Sequence, residues 1–299
     1  MKVLITGGSG LIGSELTRKF IDNNIDCVHL SRVKNSKLGV KTYVWDYKRN
    51  YLEDGALKDV THIVHLAGAG IADKPWTMSR KRTIVKSRVL TARLLREYIE
   101  KNELNLDAFI SASGIGYYGA VTSSHVYKES DQRGHDFVSE CCVQWEDEVS
   151  KFKNTRVAIL RTGIVLSKEG GALQRIESAI NRRIGAPLGS GKQHMPWIHI
   201  DDMVQLYYDA VTKDKYEGVY NAVSNEPMTN EELTRNLANH LGRKLWLPNV
   251  PAFMVKTIFG ELSEMLLEGS HVSNQKLLDN GFEFKFKKFK EALNNIYKD

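Results

Sequence analysis

Short, largely apolar runs alternate along this chain with longer stretches whose apolar positions recur every three or four residues. The runs at 2–6, 27–31, 42–45, 61–66 and 108–113 are nearly continuous rather than alternating, as strands buried on both faces of a parallel sheet must be. Between them, 14–23 and 79–100 carry helical periodicity, the second with Ile84, Val85, Val89, Leu94 and Leu95 on its apolar side. Runs at 157–166 and 219–223 predict a sixth and a seventh strand, and 201–212 reads as a helix with Asp201 as its N-cap. The pattern predicts an α/β fold: a Rossmann-type, doubly wound parallel sheet.

Beyond residue 169 the alternation stops. A glycine-rich, basic segment follows, then a capping box of Thr229 and Glu232 that opens a helix reaching Leu241, with Pro248 and Pro251 ahead of the last helices. The expected division is a nucleotide-binding domain of 1–169 and 196–224 and a smaller, mainly helical C-terminal lobe of 170–195 and 225–299 that roofs a cleft over the strand ends. Near the C-terminus, Phe284, Phe286 and Phe289 interleave with Lys285, Lys287, Lys288 and Lys290. That spacing predicts a strand running into a helix with its lysines in solvent, rather than a nucleic-acid surface.

Composition narrows the function classes. Of the 299 residues, 42% are hydrophobic and 26% charged, which excludes a disordered chain, and the net charge of +6 is mild. The longest apolar stretch, 252–267, is interrupted by Lys256, Glu261 and Glu264, so no membrane span is expected, and the first residues lack the apolar core of an export signal. Cys27, Cys141 and Cys142 form no Cys-x-x-Cys pair and the histidines no His-x-x-x-His pair. These features predict a reduced, cytoplasmic protein with no metal, no nucleic-acid partner and no membrane partner, acting on a small molecule and free to form a homodimer.

The strongest chemical pattern is Thr6-Gly7-Gly8-Ser9-Gly10-Leu11-Ile12-Gly13, placed between the first strand and the first helix. Gly7 permits the tight turn, Gly10 lets the backbone approach a pyrophosphate, Gly13 lets the helix pack closely, and the free N–H groups at Leu11 and Ile12 face the phosphate. The second strand ends His29-Leu30-Ser31-Arg32, with no acid to hold a ribose 2′-hydroxyl. Ser31 and Arg32, followed by Lys34 and Lys37, favour a 2′-phosphate, and so NADP over NAD. Asp46 after the third strand is a candidate for the adenine edge.

These segments resemble the extended short-chain dehydrogenase/reductase superfamily, and within it the divergent "epimerase family" branch with a C-terminal domain of unknown function at about 246–293. The resemblance runs through 6–13, His65-Leu66-Ala67-Gly68-Ala69, 81–88, 111–119, Asp136-Phe137, Trp145-Glu146, 161–166, 189–193, 197–202 and 281–284. It implies that Leu66, Ala67 and Gly68 border the cofactor, that Ser113 (Ser111 in the alternative register) orients a substrate oxygen, and that Arg88 or Ser87 replaces an Asn of the family's tetrad. Glu129 resembles a site-shaping position, and Gln193 and Trp197 lie in the segment that crosses the cleft.

The superfamily's Tyr-x-x-x-Lys pair is missing: no Tyr here has a Lys four residues on, and the corresponding positions read Phe137 with Cys141, or Val138 with Cys142. A free phenol titrates near 10 and is a poor base without a neighbouring cation. Tyr117 or Tyr118, just past the Ser113 strand, is the candidate substitute, with Arg88, Lys86 and Lys81 as candidate cations. Arg161, ending a buried strand, is expected to be paired or to meet an anionic substrate group. Two functions follow: an NADP-dependent oxidoreductase or epimerase acting on a small carbonyl or hydroxyl compound, sugar nucleotides included, or a catalytically divergent NADP(H)-binding regulator or redox sensor.

Overall fold

The computed structural model describes residues 1–34 and 38–298. Its first half alternates strand and helix: β1 (Lys2–Thr6), α1 (Leu11–Asp22), β2 (Asp26–Ser31), β3 (Thr42–Asp46), β4 (Tyr51–Leu52), β5 (His62–His65), α2 (Met78–Lys101) and β6 (Ala108–Gly114). A 3₁₀ turn at Ile115–Tyr118 leads to β7 (Val126–Tyr127), α3 (Phe137–Val149), β8 (Arg156–Thr162), β9 (Ile164–Leu166) and α4 (Gly171–Asn181). Then come β10 (Trp197–His199), α5 (Ile200–Thr212), β11 (Gly218–Ala222), α6 (Asn230–His240), α7 (Ala252–Phe259), α8 (Ser263–Leu267), β12 (His271–Val272), α9 (Gln275–Asp279) and α10 (Phe289–Ile296).

Eight strands form one sheet in the order β11-β8-β6-β5-β1-β2-β3-β4, parallel except for the short antiparallel β4. Chain order reverses at β1, where the crossovers leave toward opposite sides, and the ends of β1, β5 and β6 there frame a crevice. Val3, Ile5, Ile110 and Leu160 face α1 and α5, where Leu16, Phe20, Met203 and Tyr207 cover them. Leu4, Ile63, Phe109 and Ile159 face the other way into Leu94, Leu95 and Ile99 of α2 and Trp145 and Val149 of α3. Burial on both sides accounts for the continuous apolar runs.

Three local expectations change. The run 157–166 is not one strand: it breaks at Gly163, whose N–H donates to Ala222 O at 3.1 Å, and β9 leaves the sheet to pair with β10. A Cβ on Gly163 would lie 2.6 Å from Pro196 O, so the crossing needs a glycine. The N-cap of α5 is His199 rather than Asp201, because His199 Nδ1 accepts the Asp201 N–H at 3.0 Å. The 284–288 segment forms no sheet strand; Asp202 Oδ1 and Oδ2 accept the N–H groups of Lys285 and Phe286 at 2.7 and 3.1 Å, a side chain supplying what a neighbouring strand would. In the mainly helical C-terminal part, α4, α6 and α10 close with Leu166 and Trp197 around a further core.

Candidate functional site

The glycine-rich turn has the shape its spacing requires. Gly7 adopts φ +71°, and a Cβ there would press on the Leu66 carbonyl at 3.0 Å. On Gly13 a Cβ would lie 2.3 Å from Gly7 O, so α1 can run this close to the turn only without a side chain. Gly10 caps α1 with no side-chain hydrogen bond, which leaves the helix N-terminus open toward Leu11 and Ile12. Thr6 Oγ1 accepts the N–H groups of both Leu66 and Ala67 at 3.1 Å, fixing the end of β5 beside the turn. The turn thus fits a pyrophosphate: glycines where a Cβ would strike neighbouring backbone and open the tight turn, and uncapped N–H donors at the start of α1.

At the end of β2, Ser31 is half-buried and Arg32 exposed beside the turn. Lys34 is engaged with Glu53 at 3.1 Å, so among the described residues Arg32 is the cation left without an ion pair there, and Lys37 lies outside them. Asp46 Oδ1 accepts the Lys48 N–H at 2.9 Å, a turn-capping contact that occupies one oxygen of the candidate adenine contact. Arg88 donates through Nη1 to Ala69 O and Ile84 O at 3.0 and 2.9 Å, and its guanidinium packs against Gly68. It braces the loop after β5 and lies 5.2 Å from the Trp145 ring.

Past the end of β6 sits a buried polar hub. Glu146 of α3 accepts Arg161 Nε and Nη2 through its two oxygens at 2.9 and 2.8 Å, and Ser113 Oγ donates to the same carboxylate at 2.6 Å. Arg161 Nη1 donates to Tyr118 Oη at 2.9 Å, and Tyr118 in turn donates to Asn221 Oδ1 at 2.7 Å. Burial opposes the Arg161 charge, but the Glu146 hydrogen bonds and charge hold its pKa above the ordinary value. Burial pushes the Tyr118 phenol up to about 12 despite Arg161 beside it. Enclosed, with donor and acceptor roles both used, Tyr118 is a structural post and a poor proton carrier.

Tyr117 differs. It is half-buried, and its ring lies face-on to Arg161, with the guanidinium carbon 3.3 Å from the ring centroid. The cation beside the tyrosines is therefore Arg161. Lys81 is drawn instead to Glu261 and the Phe137 ring, Lys86 is exposed, and Arg88 is spent on the β5 loop. Glu129 also serves this hub, its Oε1 accepting the Asn221 N–H at 2.8 Å. A cleft of about 640 Å³ adjoins Tyr118, walled in part by Tyr127, Arg133 and Asp136.

The positions that would hold the Tyr-Lys pair form an apolar cluster. Phe137 meets Trp76 edge-on at 5.0 Å, and Val138 and Cys141 pack with Ile84 and Leu262. Burial raises the pKa of both thiols, Cys142 to about 12, so neither is a nucleophile at neutral pH. Gln193 and Trp197 do not line a cleft: both are fully buried, Gln193 donating to Leu188 O and Leu266 O and Trp197 lying in the C-terminal core. Sequence reading missed Glu146 and Asn221 as partners in the hub. Their signal was a carboxylate and an amide within otherwise buried positions of α3 and β11, which must find partners.

Comparison with known proteins shows the family. The model of the NAD dependent epimerase/dehydratase family matches residues 3–222, and that of a domain of unknown function matches 250–296. An Arabidopsis thaliana protein described as the chloroplastic homolog of epimerase family protein SDR39U1 is 34% identical over 99% of this chain and 86% of its own. An epimerase family protein of Staphylococcus epidermidis is 32% identical over 99% of both chains. The crystal structure of human epimerase family protein SDR39U1 with NADPH superposes with a TM-score of 0.90 at 29% identity, covering 100% of each chain.

Proposed function

Because this chain belongs to the NAD-dependent epimerase/dehydratase family, we propose that it binds NADP(H) on the Gly7–Gly13 turn and acts as an oxidoreductase or epimerase on a small carbonyl or hydroxyl compound. The supporting observation is the pairing of that open turn with an exposed Arg32, which has no ion pair among the described residues, and with no acid at the end of β2. Gly7, Gly10, Leu11, Ile12 and Gly13 hold the pyrophosphate, Ser31 and Arg32 the 2′-phosphate, and Leu66, Ala67 and Gly68, braced by Arg88, the inner wall. When bound, the nicotinamide supplies or takes a hydride. Tyr117 is the proton carrier, with the Arg161 guanidinium lying face-on to its ring, and Ser113, oriented by Glu146, keeps oxygen lone pairs free to accept a bond.

A regulator that binds NADP(H) without turnover is the second reading, favoured by the apolar cluster at Phe137 and Cys141. One experiment separates the two. Protein stripped of nucleotide is titrated with NADPH and with NADH by fluorescence, and the Tyr117→Phe and Arg32→Glu variants follow. The enzyme reading expects tighter NADPH than NADH, reversal of that preference in Arg32→Glu, and loss of turnover with unchanged NADPH affinity in Tyr117→Phe. Binding that persists with no turnover across a panel of carbonyl substrates turns the assignment to the regulator. No saturable binding of either nucleotide refutes both.

A further inference from the structure

We infer that the face formed by α7, the segment 241–251 that leads to it and the adjoining segment 178–192 docks onto an anionic membrane surface. Helix α7 buries only Val255. Phe253 and Ile258 are 69% and 65% exposed, Met254 and Phe259 are also open, and beside the helix Trp246 and Ile184 are 69% and 60% exposed. Large apolar side chains scattered singly on a surface need no explanation, but this concentration on one short helix and its approach does.

The two segments are physically joined. Val250 N–H donates to Pro187 O and Gly189 N–H to Val250 O, both at 2.8 Å, and Trp246 Nε1 donates to Arg183 O at 3.0 Å. Charge selects the occupant. Residues 178–192 and 241–260 contain no Asp or Glu, while Arg182, Arg183, Arg243, Lys244 and Lys256 are exposed, and among the described residues none of these five forms an ion pair. Aromatic and aliphatic side chains among unpaired cations suit the boundary between acyl chains and anionic headgroups. A second copy of the same face would bring like charges together, which opposes self-association.

The proposed contact is peripheral, and the absence among the described residues of a helix long and apolar enough to cross a membrane does not bear on it. The 3₁₀ turn after α7 reaches the start of α2 through the Glu261–Lys81 ion pair. The inference does not depend on which nucleotide the glycine turn binds.

Flotation of the full-length protein with vesicles tests it, using phosphatidylcholine alone and phosphatidylcholine mixed with phosphatidylglycerol, at low and high salt. The expected result is partition onto the anionic vesicles only, weakened by salt and reduced about tenfold or more in Phe253→Ser/Ile258→Ser. Lys244→Glu/Lys256→Glu, which changes only exposed charge, should reduce it too, with the thermal melt of each variant checking its fold. No flotation of the unaltered protein overturns the inference, as does binding that survives both folded variants. A dimer in sedimentation that Phe253→Ser/Ile258→Ser splits, with no vesicle binding, assigns the face to a second copy instead.

Discussion

Arg161 and Glu146 meet as a two-pronged pair inside the protein, with N–H···O distances of 2.9 and 2.8 Å and both side chains nearly without solvent contact. The pair joins the end of β8 to α3 and sets the position of Ser113 and Tyr118 around it. Two charges out of water are tolerated because each satisfies the other and neighbouring polar groups take the remaining sites. Removing one leaves the other stranded. Arg161→Met or Glu146→Leu alone should cost about 3–5 kcal/mol in urea unfolding, and the double variant distinctly less than the sum. Additive losses would show that the two residues are not energetically coupled.

The close approach of α1 to the glycine turn yields a second expectation. Gly13→Ala places a methyl 2.3 Å from Gly7 O and 2.8 Å from Gly8 Cα, backbone atoms that cannot step aside cheaply. It should lower stability by about 1–3 kcal/mol, the usual range for overpacking, and abolish NADPH binding. Gly170→Ala, where a Cβ meets nothing within 4 Å, serves as the control and should leave nucleotide binding unchanged. Thermal melts and nucleotide titrations of both variants give the answer.

His65 makes the stability depend on acid. It is fully buried, its Nδ1 accepting Trp145 Nε1–H at 3.3 Å, which leaves Nε2 to donate to Thr91 Oγ1 at 2.9 Å. Burial, with the Arg88 charge adding to it, pushes its pKa down to about 3 from an ordinary 6.5. Between those values the unfolded chain binds the extra proton and the folded one does not, so this group's contribution is complete above pH 6.5 and is lost progressively as the pH falls toward 3. Unfolding midpoints measured through that window should fall with pH less steeply in His65→Gln than in the unaltered protein. Parallel slopes would remove His65 as a cause.

The thiols should be silent in the native state. Burial raises Cys27 to about 11, with the Asp26 charge adding to the effect, and Cys142 to about 12, while Cys141 is also raised and enclosed. An aromatic disulfide reagent at neutral pH should therefore release all three thiols only after denaturation. A fast-reacting thiol in the folded protein would contradict the burial of Cys27 beside α1 or of α3 against β6.

What the sequence determined by itself was the part of the protein written in local patterns. Continuous apolar runs specified buried parallel strands, and the spacing of Gly7, Gly10 and Gly13 specified a phosphate-sized turn, because each depends on neighbours a few residues away. The tertiary structure decided everything that depends on residues distant in the chain. Arg161 displaced Lys81, Lys86 and Arg88 as the cation beside the tyrosines because parallel pairing sets β8 next to β6, with Arg161 opposite Ser113 in register. Tyr117 and Tyr118 read alike as adjacent residues, yet one is half-buried and the other sealed against Asn221, 103 positions away. Gly163 ended what reads as one strand because Pro196 crosses there, and Asp202 rather than a strand partner satisfied 285–286. Periodicity records which face of an element is apolar; it carries no record of which distant polar group will be brought to meet it, and the site is made of such meetings.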